Sequence, residues 1–134
     1  MTGHAIFIVT VSLALTALTG FQEETKSSFI GKISGKYVAI PECCDHNYDE
    51  IIIKNNYHYK STHSYNLIGS WTINGTIILK SDTIIFEPKS GINYKGEKVV
   101  CKSKDNTGFC STDTLIYMED TLCSLDGNIK YHRK

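Results

Sequence analysis

Asn74-Gly75 stands between two β-rich runs. Leu67, Gly69, Trp71 and Ile73 fall on one face of a strand before it, and Thr76-Ile77-Ile78-Leu79-Lys80 follows it. Both residues of the dipeptide accept the positive φ of a type I′ turn, so Gly69 to Lys80 predicts a tight hairpin with Asn74-Gly75 at its tip. The pattern repeats along the chain. Ser81-Asp82 predicts a second tight turn into Thr83-Ile84-Ile85-Phe86-Glu87, closed by Pro88. Upstream, Lys36-Tyr37-Val38-Ala39-Ile40 ends at Pro41, and Glu50 to Lys54 holds consecutive isoleucines. Asn55-Asn56 tolerates a left-handed turn, and Tyr57-His58-Tyr59-Lys60 then alternates apolar with polar. Downstream, Glu97 to Cys101, Thr114 to Met118, a segment around Leu122, and Asn128 to His132 complete the set.

About seven to nine short strands at close spacing predict an all-β chain, an antiparallel up-and-down meander. Closure into a small barrel removes exposed edges, and consecutive hairpins favour it; a β-sandwich is the alternative. No window after the first twenty residues sustains apolar spacing of three and four, so no amphipathic helix is expected there.

The first twenty residues differ from the rest. Met1 to Gly20 has no Lys, Arg, Asp or Glu, while 14 basic and 14 acidic residues follow. Ala5 to Leu18 is apolar apart from Thr10, Ser12 and Thr16. That length fits a signal-peptide core and is short of the roughly 20 residues of a membrane span. The expectation is a signal peptide over residues 1–20 cut between Thr19 and Gln22, a flexible lead-in over 21–29, and a single β domain over 30–134. A buried N-terminal element or an uncleaved anchor is the competing reading. Leu18-Thr19-Gly20 resembles a lipoprotein signal, but Phe21 stands where the lipid-bearing Cys belongs. The expected product is secreted or periplasmic, with no membrane span after signal removal, and monomeric. Net charge is zero with no basic stripe, so nucleic acid is not an expected partner.

The run Ile51-Ile52-Ile53-Lys54-Asn55-Asn56-Tyr57-His58-Tyr59, followed by Gly69-Ser70-Trp71-Thr72-Ile73-Asn74-Gly75-Thr76-Ile77-Ile78-Leu79, resembles small bacterial envelope proteins of lipocalin-like architecture. The likeness spans about residues 35 to 87 and, more loosely, Leu122 to Lys134. It implies a barrel with a ligand-binding interior and supplies no catalytic residue. Tyr57, Tyr59, Tyr65 and Trp71 cluster in the middle hairpins, and Tyr57, Tyr59 and Trp71 are the candidate ligand-binding residues. Ordinary packing of aromatics in strands is the plainer account.

Five cysteines, Cys43, Cys44, Cys101, Cys110 and Cys123, read as disulfides in an exported chain. Cys101 and Cys110 close a short loop containing Asn106 and Gly108, worth roughly 2.7 kcal/mol on chain-entropy grounds. Cys123 then has Cys43 or Cys44 as a partner, and one thiol is left over. Pro41-Glu42-Cys43-Cys44-Asp45-His46 is the sharper alternative. Thiols and an imidazole there, with Asp49, His58 and His63 nearby, suit Cu or Zn, with Cys43, Cys44 and His46 as ligands. Adjacent cysteines point apart in a strand, which argues against a structural zinc site. There is no Cys-x-x-Cys, nucleophile elbow, phosphate loop or His-Glu-x-x-His pair. The expected function is therefore non-enzymatic: a secreted barrel without a cofactor that binds a small ligand or a protein partner. Metal handling through the Cys-Cys-Asp-His turn is the alternative.

Overall fold

A computed structural model describes residues 26–39, 47–66, 68–102 and 108–134. The predicted signal peptide lies outside these residues. The first described element is a helix over residues 26–33, which corrects the expectation of no helix and of a flexible lead-in over 21–29. Phe29, Ile30 and Ile33 carry the apolar spacing of three and four, but over only two turns, too brief for a pattern that is sought over longer windows. The chain divides into two compact units after Lys32. The second, from Ile33 onward, holds all the strands.

Among the described residues nine strands follow: β1 (Gly35–Ala39), β2 (Tyr48–Ile53), β3 (His58–Tyr65), β4 (Gly69–Lys80), β5 (Thr83–Ile92), β6 (Lys98–Val100), β7 (Asp113–Met118), β8 (Thr121–Ser124) and β9 (Lys130–Arg133). Every pairing is antiparallel, and β1 pairs with β9, so eight strands close into a barrel and β6 stands outside the ring on the second half of β5. The meander and the barrel are as expected; the sandwich is not formed.

Closure gives each strand an inward face with period two. In β2 the buried positions are Asp49, Ile51 and Ile53, and in β3 Tyr59 and Ser61. Register carries that face round the ring. Tyr59 lies opposite Gly75, Ile77 opposite Phe86, Ile84 opposite Leu115, and Leu122 opposite Tyr131. Tyr37, Ile33, Ile84, Leu115 and Leu122 are the largest fully buried side chains. The core is filled with side chains, as the interior of so small a barrel requires.

The predicted tip at Asn74-Gly75 is not a turn. β4 runs straight through it, pairing with β3 from Gly69 to Thr76 and with β5 from Thr72 to Lys80. A chain that turned there would fold two short strands on each other and lose pairing on both sides. Gly75 serves for lack of a side chain. A Cβ there would meet the Glu87 carbonyl oxygen at 2.1 Å and the Tyr59 ring at 2.8 Å. At this point the register shifts, with Asn74 opposite Ser90 and Gly75 opposite Pro88, so Lys89 is an extra residue that bends β5.

The two barrel ends differ in their loops. At one end the connections are tight: Asn55–Tyr57, Ser81-Asp82 and Glu119-Asp120. Positive φ falls on Tyr57 (64°), Ser81 (58°), Glu119 (48°) and Asp120 (62°). The type I′ geometry expected of Asn74-Gly75 is thus taken by Glu119-Asp120, between Met118 and Thr121. Arg133 ties this end together. Its Nη1 donates to the Ser34 carbonyl (3.0 Å) and its Nη2 to the Tyr37 hydroxyl (2.8 Å). Its guanidinium lies 5.1 Å from the centre of the Tyr37 ring, and its Nε lies 3.1 Å from the Asp120 carboxylate. At the opposite end lie the longer connections: β1 to β2, β5 through β6 to β7, and β8 to β9.

Candidate functional site

The long-loop end carries the polar interior of the barrel. The loop at Asn55–Tyr57 sets the register of β2 against β3, and that register places Asp49 opposite His63. Both project inward by the period-two rule. The next inward residue of β3 is Tyr65, and its partner across β4 is Gly69. Trp71 lies opposite His63. These positions converge. The His63 Nδ1 is 2.7 Å from one oxygen of the Asp49 carboxylate, and the Tyr65 hydroxyl donates to the other at 3.0 Å. His63 stacks on Trp71 with ring centres 5.1 Å apart and planes 19° apart. Tyr65 leans on the same indole at 5.1 Å.

Asp49 is one of few buried charged groups, only 6 % exposed, and a carboxylate so placed needs its partners. Two donors on its two oxygens meet that need and fix the His63 ring, leaving Nε2 as the ring nitrogen turned from the carboxylate. Burial, with Asp49 adding to it, pushes the Tyr65 hydroxyl up to about 12. Tyr131 is also pushed up, by burial first and then by Asp49 and Asp113.

Of the expected ligand-binding residues, Trp71 is here. Tyr59 is deep in the core, edge-on to Phe86 with ring centres 4.9 Å apart. Tyr57 is exposed in the β2–β3 turn at the other end of the barrel, so the three do not come together. Cys43, Cys44 and His46 lie outside the described residues. No group of three side chains suited to a metal is found among the described residues. His58 is exposed at the start of β3, its Nδ1 3.0 Å from the Asn56 carbonyl oxygen. The Cys101–Cys110 disulfide is formed, with Cα atoms 5.6 Å apart. Cys123, half-buried on the outward face of β8, is a free thiol among the described residues, and Cys43 and Cys44, the partners expected of it, lie outside them.

Asp49, His63 and Tyr65 as a unit are what sequence reasoning missed. The signal was present: Tyr59, Ser61, His63 and Tyr65 alternate along one face, and a three-residue loop fixes what they oppose.

A concavity of about 390 Å³ lies beside the disulfide, lined by Glu87, Pro88, Lys89, Lys102 and Thr112. The short 3-10 helix Gly108–Cys110 sits beside β5 here, and the tip of Phe109 occupies space that a Cβ on Gly91 would need, 2.6 Å from it. Exposed apolar residues also gather at the long-loop end, among them Ile68, Ile92, Tyr94, Leu125 and Ile129.

No protein-family model, curated protein or solved structure matches this chain.

Proposed function

We propose that this chain is an exported, non-enzymatic β-barrel that binds a small ligand at its long-loop end. The observation that carries this is the Asp49–His63–Tyr65–Trp71 cluster, a buried acid with its hydrogen-bonding partners and a half-buried indole. Apolar cores of small barrels do not need such a group, and polar side chains converging beside aromatics are the usual make-up of a ligand site. The asymmetry of the ends agrees with it. One end spends its residues on tight turns and an arginine clasp, while the other carries the long loops and most of the exposed apolar side chains. The charge-free Met1–Gly20 segment and the Cys101–Cys110 disulfide support export, since disulfides persist in oxidising compartments. The lipocalin-like envelope grouping is part of the same proposal.

The test is a nuclear magnetic resonance screen of the ¹⁵N-labelled oxidised protein against mixed sugars, amines, fatty acids and small aromatic acids. Saturable shifts confined to β2, β3 and β4 near Asp49, His63, Tyr65 and Trp71 are expected. Shifts confined to the tight-turn end, or none with any class, would sink the reading.

A further inference from the structure

The inward face at the long-loop end has a one-sided chemistry. Tyr65, Trp71 and Tyr131 supply rings, and Asp49 and Asp113 supply carboxylates. Among the described residues no lysine or arginine shares that face at this end; the inward-facing arginine, Arg133, closes the other end. Asp113 lies opposite Phe86 at the start of β7, on the same inward face as Leu115 and Tyr117. It is exposed, and the hydrogen bond it accepts is from the amide of its neighbour Thr114, at 2.8 Å. Asp49 is engaged by His63 and Tyr65, so Asp113 is the carboxylate better placed to meet a charge brought in from solvent. Burial chiefly raises the Tyr131 hydroxyl, and Asp49, Asp113 and Tyr65 add to it.

We propose that the ligand of this end is an organic cation, its ammonium set against the rings of Tyr65, Trp71 and Tyr131 with Asp113 and Asp49 as counter-charges. This rests on the reading that the long-loop end binds a ligand. Aromatic faces carry negative quadrupole density and attract a desolvated ammonium group. An anion entering here would meet two carboxylates and, among the described residues, no lysine or arginine, while the one imidazole, His63, is already turned onto Asp49. A neutral ligand would gain the rings but nothing from the charges. Complementary charge at a partly dry site also raises the rate of encounter.

Trp71 is the sole tryptophan, so its emission reports on the site directly. The full oxidised protein is titrated with phenethylamine, 2-phenylethanol and 3-phenylpropanoate, which share a ring and differ in charge. The amine is expected to change the emission saturably and to bind about tenfold more tightly than the alcohol, with the acid weakest. Asp113→Asn, an exposed substitution that should leave the melting temperature unchanged, is expected to weaken the amine by several fold. Asp49→Asn risks the fold and is read only if its melt remains cooperative; it then weakens the amine as well. Equal or tighter binding of the alcohol or the acid would overturn the proposal, and so would an Asp113→Asn variant that binds the amine as the parent does. Silence of all three, alongside resonance shifts from another ligand class, removes the cation alone. Silence in both experiments removes the binding reading with it.

Discussion

Gly75 shows how one missing side chain governs a stretch of barrel wall. Tyr59 lies across it from β3 and the Glu87 carbonyl approaches from β5. Gly75→Ala pushes a methyl group into both, and backbone cannot yield as a side-chain tip can. The expected cost is about 3 kcal/mol, at the upper end for overpacking, measured by chemical denaturation of the two proteins side by side. A loss below about 0.5 kcal/mol would show that the Glu87 carbonyl and the Tyr59 ring do not approach Gly75 as closely as described. The same residue explains the error in reading the sequence. Asn-Gly favours a type I′ turn through local backbone preference, but preference of that size gives way when a strand can pair on both flanks. Glu119-Asp120 errs in the other direction, since nothing in its own side chains announces two positive φ values. Its geometry is imposed by the pairing of β7 with β8 and by Asp120, which accepts from the Tyr117 hydroxyl at 2.9 Å and faces Arg133.

Among the elements, β6 and the Gly108–Cys110 helix are appendages held by the disulfide and by a few rungs to β5. The ring does not pass through them, because β5 pairs with β4 along its length and with β7 at its start. Reduction, or a Cys101→Ser/Cys110→Ser double variant, should therefore cost about 2–3 kcal/mol and leave the barrel closed. Hydrogen exchange should quicken over residues 98–102 and 108–112 while β1 to β4 keep their protection. Global unfolding on reduction would contradict this partition. Strand positions and this bridge were legible because period-two alternation and a short loop are local facts. The Asp49–His63 pair was not read, because it needs a register, and a register needs a loop length that Asn55-Asn56 alone does not settle. The positive φ falls one residue later, on Tyr57, which lengthens the loop by that residue. The helix over 26–33 was missed because two turns show too little periodicity.

At the level of the whole molecule, the core is unusually rich in buried phenol. Burial pushes Tyr37 and Tyr65 up to about 12 and raises Tyr59 and Tyr131 as well. The unfolded chain ionises its tyrosines near pH 10, while the folded one resists. Stability is therefore whole below pH 10 and falls as pH rises from there toward 12, by about 2 kcal/mol for the fully buried Tyr37 alone. Absorbance at 295 nm should show several tyrosines silent until a cooperative transition that coincides with loss of far-ultraviolet ellipticity. A smooth titration of all eight tyrosines near pH 10, with the fold intact, would refute it.

The ring is closed by its first and last strands, and the Tyr37–Arg133 contact joins residues 96 apart in the chain. That contact cannot form until all the other strands of the ring have been made. Hairpins such as β2–β3 and β4–β5 can appear early, yet the Arg133 clasp comes last, after the largest loop has been closed against its entropy. A barrel with this order of assembly stays open until β9 is made and then closes in one step. Threading it unfolded through a narrow pore would undo early hairpins at most, and never the closed ring.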